Sequence, residues 1–269
     1  MSKNKNHTLR KVIFITILGW LICLSLPKFG YGNTIKILSA SSFKPLLTEA
    51  IINFKKTNPN INFIIDTQGS QILKFQIQHG VLADIFFSAD ISYIDDILKM
   101  GLIDVANNGI LCKNEMVLLK YKHSLVKIND ITDIGYKKIN LILGVKSSPF
   151  GYYAQEIIKK ITAIGHHNFL EGLQANLISL ESNVGSAVGK VRFGLADATI
   201  AYKSDFYANS NNLVLITILD KYQPDIFYGY AILKASLVKH DAKKFIAYLT
   251  LEARKKIFTK YGFIPLLED

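Results

Sequence analysis

The stretch ILSASSFKPLL, residues 37–47, joins an apolar strand to a helix through a cluster of small hydroxyl residues. It continues the β-rich run TIKILSA, and the apolar residues from Leu46 to Phe54 recur at helical spacing. A helix N-terminus leaves about four backbone N–H groups unpaired and carries roughly half a positive charge. The stretch therefore predicts a strand-to-helix junction that can receive an anion.

Strand and helix patterns alternate after this junction. INFIID and ADIFFSAD have the pattern of strands, and SQILKFQIQHG and ISYIDDILKMG have that of helices. This alternation indicates parallel α/β units. Further strands are predicted at EMVLLKY, INLILGV, NLVLITI and IFYGYAIL. These patterns predict two α/β lobes, and no linker-like segment separates them. We therefore expect the chain to cross between the lobes more than once, with 33–112 and 224–269 forming lobe 1 and 113–223 forming lobe 2.

The first 32 residues have the order of a secretory signal peptide. A basic opening, MSKNKNHTLRK, precedes the apolar run 12–26 and the small-residue stretch FGYGN. A membrane anchor is the alternative, but the run is shorter than the ~20 residues that a spanning helix needs. We expect cleavage near Gly32 and a periplasmic protein. A lipid anchor at Cys23 is less favoured, because Ile22 is large where a small residue is wanted.

Charge and cysteine content argue against a nucleic-acid-binding protein, a disulfide-linked fold and a cysteine metal site. Removing residues 1–32 takes away five of the 32 basic residues and no acids, so the net charge falls from +11 to +6 (27 basic against 21 acidic residues). No block of like charges is present, which argues against a nucleic-acid partner. If Cys23 is removed, Cys112 is the one remaining cysteine. A single cysteine forms no internal disulfide, and no metal-type cysteine spacing occurs.

Four strand-to-helix junctions share one chemical character. Each offers glycine or a small hydroxyl where a helix begins; they are SASSF at 39–43, TQGSQ at 67–71, SSPFGYY at 147–153 and ESNVGSA at 181–187. Taken alone, each serine is explained as an N-cap that contributes ~1 kcal/mol to its helix. Taken together in an exported α/β protein, the four favour a shared anion site beyond the carboxyl ends of the strands.

The chain also resembles a known family along most of its length. The stretches that carry the resemblance are ILSASSFKPLL, GSQILKFQIQHGVLADIFFSAD, SPFGYYAQEI, NVGSAVGKVRFGLADATIAYKSDF and IFTKYGF. In this order they resemble periplasmic molybdate-binding proteins, the solute receptors of ABC transporters with the type II periplasmic binding fold. The resemblance spans roughly 34–265. It implies an α/β fold of two lobes, each a mixed sheet flanked by helices, with the ligand cleft between them.

The resemblance also implies a set of neutral hydrogen-bond donors. It assigns hydroxyl donors to Ser42 and Ser70, backbone N–H donors to Phe150 and Val184, and a phenol donor to Tyr202. The family usually has a small residue at the position of Phe150 and a serine-rich run where this chain has QGSQ. The implied ligand is molybdate or tungstate, so the metal is held as its oxyanion by the same residues, without a cofactor. The implied partner is a membrane permease with a cytoplasmic ATPase, and the receptor is expected to be a monomer.

Several alternatives remain open from the sequence. A receptor for sulfate or phosphate would use similar donors, and adjacent tyrosines, here Tyr152 and Tyr153, are typical of ferric-iron receptors. Tyr202 is also explained as a packed core tyrosine. An exported hydrolase is disfavoured because no G-x-S-x-G, H-E-x-x-H or glycine-lysine phosphate loop is present. We therefore expect a binding protein and not an enzyme, with no carboxylate in its pocket.

Overall fold

The computed structural model describes residues 33–165, 168–251 and 255–266. The predicted signal peptide, with its cleavage site and Cys23, lies outside the described residues. The strands are β1 (Thr34–Ala40), β2 (Asn62–Gln68), β3 (Ile85–Ser88), β4 (Ile103–Asn114), β5 (Met116–Tyr121), β6 (Leu141–Gly144), β7 (Leu177–Glu181), β8 (Ala198–Tyr202), β9 (Leu213–Thr217), β10 (Ile226–Leu233) and β11 (Ile264–Pro265).

The helices alternate with these strands over much of the chain. They are α1 (Lys44–Lys55), α2 (Ser70–Gln78), α3 (Ser92–Lys99), α4 (Asp133–Tyr136), α5 (Pro149–Ala163), α6 (Phe169–Asn176), α7 (Val184–Arg192), α8 (Lys203–Ala208), α9 (Lys239–Thr250) and α10 (Lys255–Lys260). Short 3-10 turns cover Ser41–Phe43 and Asp220–Tyr222.

A six-stranded mixed sheet forms the core of what we call the first lobe. Its order is β11-β4-β10-β3-β1-β2. β1 pairs in parallel with β2 and β3, so Ala40 lies opposite Gln68 and Ser39 opposite Phe87. β10 is antiparallel to β3 and β4. The shared register brings the carboxyl ends of β1, β2 and β3 to one edge of the sheet.

A five-stranded mixed sheet forms the core of the second lobe. Its order is β7-β6-β8-β5-β9. β6 is parallel to β7 and β8, with Gly144 opposite Glu181 and Ile142 opposite Thr199. The carboxyl ends of these three strands therefore also share one edge. α5 packs on β6 and β8, and α7 packs on β8 and β6.

The chain passes between the two sheets twice. It leaves the first sheet at Asn114, enters the second at Met116, and returns between Thr217 and Ile226. These passages arise because β4 and β10 belong to one sheet while β5 to β9 belong to the other. The two mixed sheets flanked by helices confirm the predicted α/β fold class, and the lobe boundaries stay a prediction.

Helical spacing in the sequence corresponds to buried faces in the structure. In α1 the buried side chains are Leu46, Leu47, Ala50, Ile51 and Phe54. Turns after helices end in glycines with left-handed backbone, at Gly80 with φ of 81° and Gly101 with φ of 71°. In the part of the chain that the structure describes, no helix has the length and apolar character needed to cross a membrane.

Candidate functional site

One cavity between the lobes brings together all five residues that the resemblance singles out. Its empty space, part of which is open to solvent, is about 200 Å³. The lining residues are Ala40, Ser41, Ser42, Gln68, Gly69, Ser70, Ala89, Ser148, Pro149, Phe150, Asn183, Val184 and Tyr202. They come from all four junctions seen in the sequence and from the carboxyl ends of β3 and β8. The parallel registers of the two sheets explain this convergence, because each sheet presents its strand ends at one edge.

The cavity lining carries no formal charge. Among the described residues that form it, none is lysine, arginine, histidine, aspartate or glutamate. Its polar groups are hydroxyls, amides and backbone groups. Such a lining stabilises an anion through oriented dipoles, without a charged partner.

Ser42 presents a hydroxyl whose oxygen already has a partner. It lies in the 3-10 turn after β1 and is 3% exposed. Its Oγ lies 2.7 Å from the Tyr228 hydroxyl oxygen. Either hydroxyl can be the donor in this bond. When Tyr228 donates, its proton is directed at Ser42 Oγ. The Ser42 proton is then free to donate into the cavity.

Ser70 is arranged in the same way. It is the first residue of α2 and is 1% exposed. The Ala89 backbone N–H donates to Ser70 Oγ at 3.1 Å. Because this bond uses the oxygen as acceptor, the Ser70 proton is available to another group. Ser70 is therefore a hydroxyl donor held in place by its oxygen, and Ser42 is one when Tyr228 donates to it.

Tyr202 has a buried hydroxyl without a protein partner. The residue ends β8 and is 1% exposed. Among the described residues, no group hydrogen-bonds to its Oη. Burial raises the pKa of Tyr202 well above its usual value, so the phenol stays protonated. A buried hydroxyl without a partner is costly, and this one lies in the cavity lining, where a bound acceptor would satisfy it.

Tyrosine rings hold Tyr202 in place. Its ring meets that of Tyr228 edge-on, with centroids 5.7 Å apart, and that of Tyr153 at 6.4 Å. The Tyr202 N–H donates to the buried Asp205 carboxylate at 3.1 Å. The ring contacts and the backbone bond together orient the phenol without using its hydroxyl.

Two helix N-termini of the second lobe face the cavity. At the start of α5, Ser148 Oγ accepts from the Gly151 N–H at 3.2 Å. At the start of α7, Asn183 Oδ1 accepts from the Ser186 N–H at 3.0 Å. The caps thus satisfy the N–H groups deeper in each first turn. The N–H groups of Phe150 and Val184 belong to the same first turns, where no intrahelical acceptor exists.

The ring of Phe150 is accommodated by a glycine. The residue is 2% exposed, and its ring tip lies 2.8 Å from where a Cβ on Gly144 would stand. The same Cβ would lie 2.5 Å from the Gly151 Cα. Gly144, at the end of β6, therefore gives room both to the ring and to the close approach of α5. The ring packs toward the strand, and the Phe150 N–H remains at the helix N-terminus.

Sequence reasoning missed Tyr228, which holds Ser42, and the caps Ser148 and Asn183. Tyr228 lies within the strand pattern IFYGYAIL, where alternation identifies a buried face but no partner. Ser148 and Asn183 were visible only as members of small-residue clusters. The adjacent tyrosines do not converge, because Tyr152 is 45% exposed while Tyr153 is 6% exposed. This divergence disfavours the ferric-iron alternative.

Comparisons with known proteins agree with this architecture. The sequence model of the family described as bacterial extracellular solute-binding protein matches residues 35–264. The molybdate-binding protein ModA of Mycobacterium tuberculosis is 26% identical over 232 residues, covering 86% of this chain and 85% of that protein. These matches confirm the resemblance seen in the sequence.

Solved structures show the same fold at lower identity. The periplasmic molybdate-binding protein of Azotobacter vinelandii has a TM-score of 0.76 at 17% identity, covering 87% of this chain and 100% of that one. The sulfate-binding protein SubI of Mycobacterium tuberculosis has a TM-score of 0.75 at 15% identity, with 87% of each chain covered. At these identities the likeness concerns the fold alone.

Proposed function

The chain belongs to the bacterial extracellular solute-binding protein family, and we propose that its solute is molybdate or tungstate. In this proposal the protein is the periplasmic receptor of an ABC importer. It captures the oxyanion in the interlobe cavity and delivers it to a membrane permease driven by a cytoplasmic ATPase. It binds its solute without transforming it. The relatives named for molybdate support the choice of solute.

One observation carries the proposal: neutral donors from both lobes converge on one uncharged cavity. Ser42 and Ser70 come from the first lobe, and the N–H groups of Phe150 and Val184 come from the second. Tyr202 adds a buried hydroxyl that no described protein group satisfies. The site therefore consists of donors that await an acceptor-only ligand.

The energetics of five neutral donors are sufficient for capture. A hydrogen bond to a charged group contributes ~1.5–3 kcal/mol. Five such bonds offset the desolvation of a small dianion when the donors are already held in position. The Tyr228 and Ala89 contacts hold the two serines, so little ordering cost remains on binding.

The same donors give selectivity against phosphate. Molybdate and tungstate are fully deprotonated near neutral pH and only accept hydrogen bonds. Monohydrogen phosphate carries a proton that needs an acceptor, and the cavity lining has no carboxylate to provide one. A proton without a partner in a buried site costs binding free energy. We therefore place phosphate below molybdate in affinity.

Calorimetric titration of the purified protein with molybdate, tungstate, sulfate and phosphate tests the proposal. We expect saturable 1:1 binding of molybdate and tungstate, weaker binding of sulfate and no binding of phosphate. Tight binding of sulfate alone would reassign the receptor to sulfate. Absence of binding by all four oxyanions would refute an oxyanion receptor.

A double variant identifies the site of binding. Ser42→Ala combined with Ser70→Ala removes both first-lobe hydroxyls and is expected to weaken molybdate binding by at least 10-fold. Ser210→Ala is the matched control, since Ser210 is exposed and lies outside the cavity lining. Equal affinities for the double variant and the control would place the ligand elsewhere.

A further inference from the structure

Two side chains of the first lobe reach across the cavity to backbone carbonyls of the second. Gln71 Nε2 donates to the Ser182 carbonyl oxygen at 2.7 Å. The Tyr93 hydroxyl donates to the Ser147 carbonyl oxygen at 2.7 Å. Neither Gln71 nor Tyr93 lines the cavity itself. These bonds join the lobes through protein groups alone.

The two accepting carbonyls occupy equivalent places. Ser182 directly precedes Asn183, the N-cap of α7, and Ser147 directly precedes Ser148, the N-cap of α5. These are the two helices whose first turns supply the N–H groups of the site. Each bond therefore fixes a second-lobe helix N-terminus relative to the first-lobe serines.

The loop before α2 is shaped for the Gln71 contact. A Cβ on Gly69 would lie 2.4 Å from the Ser182 carbonyl oxygen, so a side chain there would force the lobes apart. Within the described part of the chain, Gln71 Oε1 is buried without a hydrogen-bond partner. The Gln71 side-chain amide is therefore held by one hydrogen bond, from its Nε2 to the Ser182 carbonyl oxygen. This bond exists only while the second lobe lies close to the first. This is the QGSQ loop where the sequence departs from its family's serine-rich pattern.

Charged side chains surround Tyr93 on the first lobe and help to fix its position. Lys74 Nζ lies 5.0 Å from the Tyr93 ring centroid and is bonded to Asp96 at 2.7 Å. Burial, followed by the nearby carboxylates of Asp90 and Asp96, raises the pKa of Tyr93 to about 12. The hydroxyl therefore remains a donor at every physiological pH.

We propose that Gln71 and Tyr93 are two clasps that hold the lobes closed and set the rate at which the bound oxyanion leaves. Both are positioning residues, because they act through the loops that carry the helix N-termini and do not touch the ligand. The inference rests on the proposed function for its ligand, and on the cross-lobe geometry for its residues. A bond that exists only in the closed arrangement slows opening and has little effect on the encounter of ligand and protein.

Stopped-flow kinetics with molybdate test the clasps. Gln71→Ala and Tyr93→Phe each remove one donor, and we expect each to raise the dissociation rate constant about 2- to 10-fold. The two effects are expected to multiply in the double variant. Association rate constants should stay within about 2-fold. The free energy of unfolding should stay near that of the wild type, because Tyr93→Phe keeps the packed ring and Gln71 is only half-buried.

Matched controls come from the same regions of the molecule. Gln78→Ala alters the last residue of the helix that carries Gln71, and Tyr152→Phe removes the hydroxyl of a tyrosine that is 45% exposed. Dissociation rates of Gln71→Ala and Tyr93→Phe equal to those of the controls would overturn the proposal. A slowed association with unchanged dissociation would overturn it as well.

Small-angle scattering separates this proposal from the choice of ligand. If calorimetry shows that the wild type binds neither molybdate nor tungstate, the proposed function fails, but the clasps remain testable without ligand. The double variant is then expected to have a larger radius of gyration than the wild type and the control variants. Identical scattering profiles would reject the clasps whatever the solute is.

Discussion

At the scale of single residues, the site depends on where hydroxyl protons are directed. The Ala89 N–H occupies the Ser70 oxygen, which leaves the Ser70 proton for the cavity, and the Ser42 proton is left in the same way when Tyr228 is the donor of their shared hydrogen bond. Tyr202 reaches the same cavity with no described partner for its hydroxyl. In the proposed function, neutral side chains bind an anion because the directions of their hydrogen bonds are fixed before the ligand arrives.

Tyr202→Phe separates ligand binding from stability. The change removes one donor to a charged ligand, so we expect molybdate affinity to fall about 10- to 100-fold. The free energy of unfolding should be unchanged or slightly higher, because the change also removes a buried hydroxyl without a protein partner. Calorimetry and urea denaturation measure the two quantities. A stability loss with unchanged affinity would mean that Tyr202 is a structural core residue.

Asp205 gives the protein a pH dependence of known sign. Burial raises its pKa from 3.8 to about 7, against the opposing effect of the Tyr202 N–H bond. The folded state thus binds more protons than the unfolded state between about pH 4 and pH 7. Its contribution to the free energy of unfolding is full below pH 4 and is lost as the pH rises through 7.

Asp205→Asn tests this sign. The asparagine oxygen can still accept from the Tyr202 N–H but does not ionise. The difference in unfolding free energy, wild type minus variant, should decrease from pH 4 to pH 7 and then level off. Glu49, Asp133 and Glu181 have lowered pKa values and act in the opposite direction, but they are present in both proteins and cancel. A difference that is constant with pH would show that Asp205 titrates normally.

At the scale of helices and strands, function depends on how helices begin. α5 and α7 start from neighbouring strand ends, and each uses its cap for an N–H deeper in the first turn. The N–H groups nearest the cavity are thereby left for the ligand. In each helix, the N-cap and the N–H group proposed to bind the ligand belong to the same first turn. We therefore expect a change of the N-cap to alter both the free energy of unfolding and ligand affinity.

Asn183→Ala removes the cap of α7. We expect the free energy of unfolding to fall by about 1 kcal/mol, as for other N-cap losses. Molybdate affinity should fall as well, because the Val184 N–H loses its fixed direction. Asn183→Asp is the informative companion: it keeps the cap acceptor but adds a negative charge to the cavity lining, so stability should be retained while binding is lost. Retained binding in Asn183→Asp would contradict the uncharged-site account.

Most elements were predictable because their apolar spacing is regular. The buried face of α1 and the strand IFYGYAIL match the sequence patterns closely. The twelve-residue strand β4 was missed, since its middle, VANNG, is polar and contains a glycine. Its pairing with β10 over most of its length, interrupted by register shifts, stabilises it as a strand. Tertiary pairing overrides local propensity there.

The candidate site was also only partly predictable from local sequence patterns. Small hydroxyls at helix starts were visible in the sequence, and the structure gathers them in one cavity. Tyr228 and Gly144 were not visible as site components, because their roles come from contacts with Ser42 and Phe150 that are distant in sequence. Such supporting residues carry no local signature and need the fold to be known.

At the scale of the whole molecule, two sheets direct their strand ends at one cavity. The chain enters the second sheet after β4 and returns before β10, so the first lobe is completed by a distant segment while the second comes from one continuous stretch. Cross-lobe bonds from Gln71 and Tyr93 then bring the two strand edges together. A ligand that contacts both lobes is expected to stabilise the molecule as a whole.

A thermal melting series tests this coupling. A ligand at 100 times its dissociation constant adds about 2.7 kcal/mol to the free energy of unfolding. For a chain of this size we expect a rise in Tm of about 5–11 °C with molybdate or tungstate. Phosphate at equal concentration should leave Tm unchanged. Equal shifts with all oxyanions would indicate a general salt effect in place of a specific site.

The most direct measurement is a crystal structure of the protein with tungstate, located by its anomalous scattering. We predict one strong peak inside the interlobe cavity, with oxyanion oxygens about 2.7–3.1 Å from the hydroxyls of Ser42, Ser70 and Tyr202 and from the N–H groups of Phe150 and Val184. A peak outside this cavity, or an oxyanion bonded there to a lysine or arginine side chain, would contradict binding by neutral donors of both lobes.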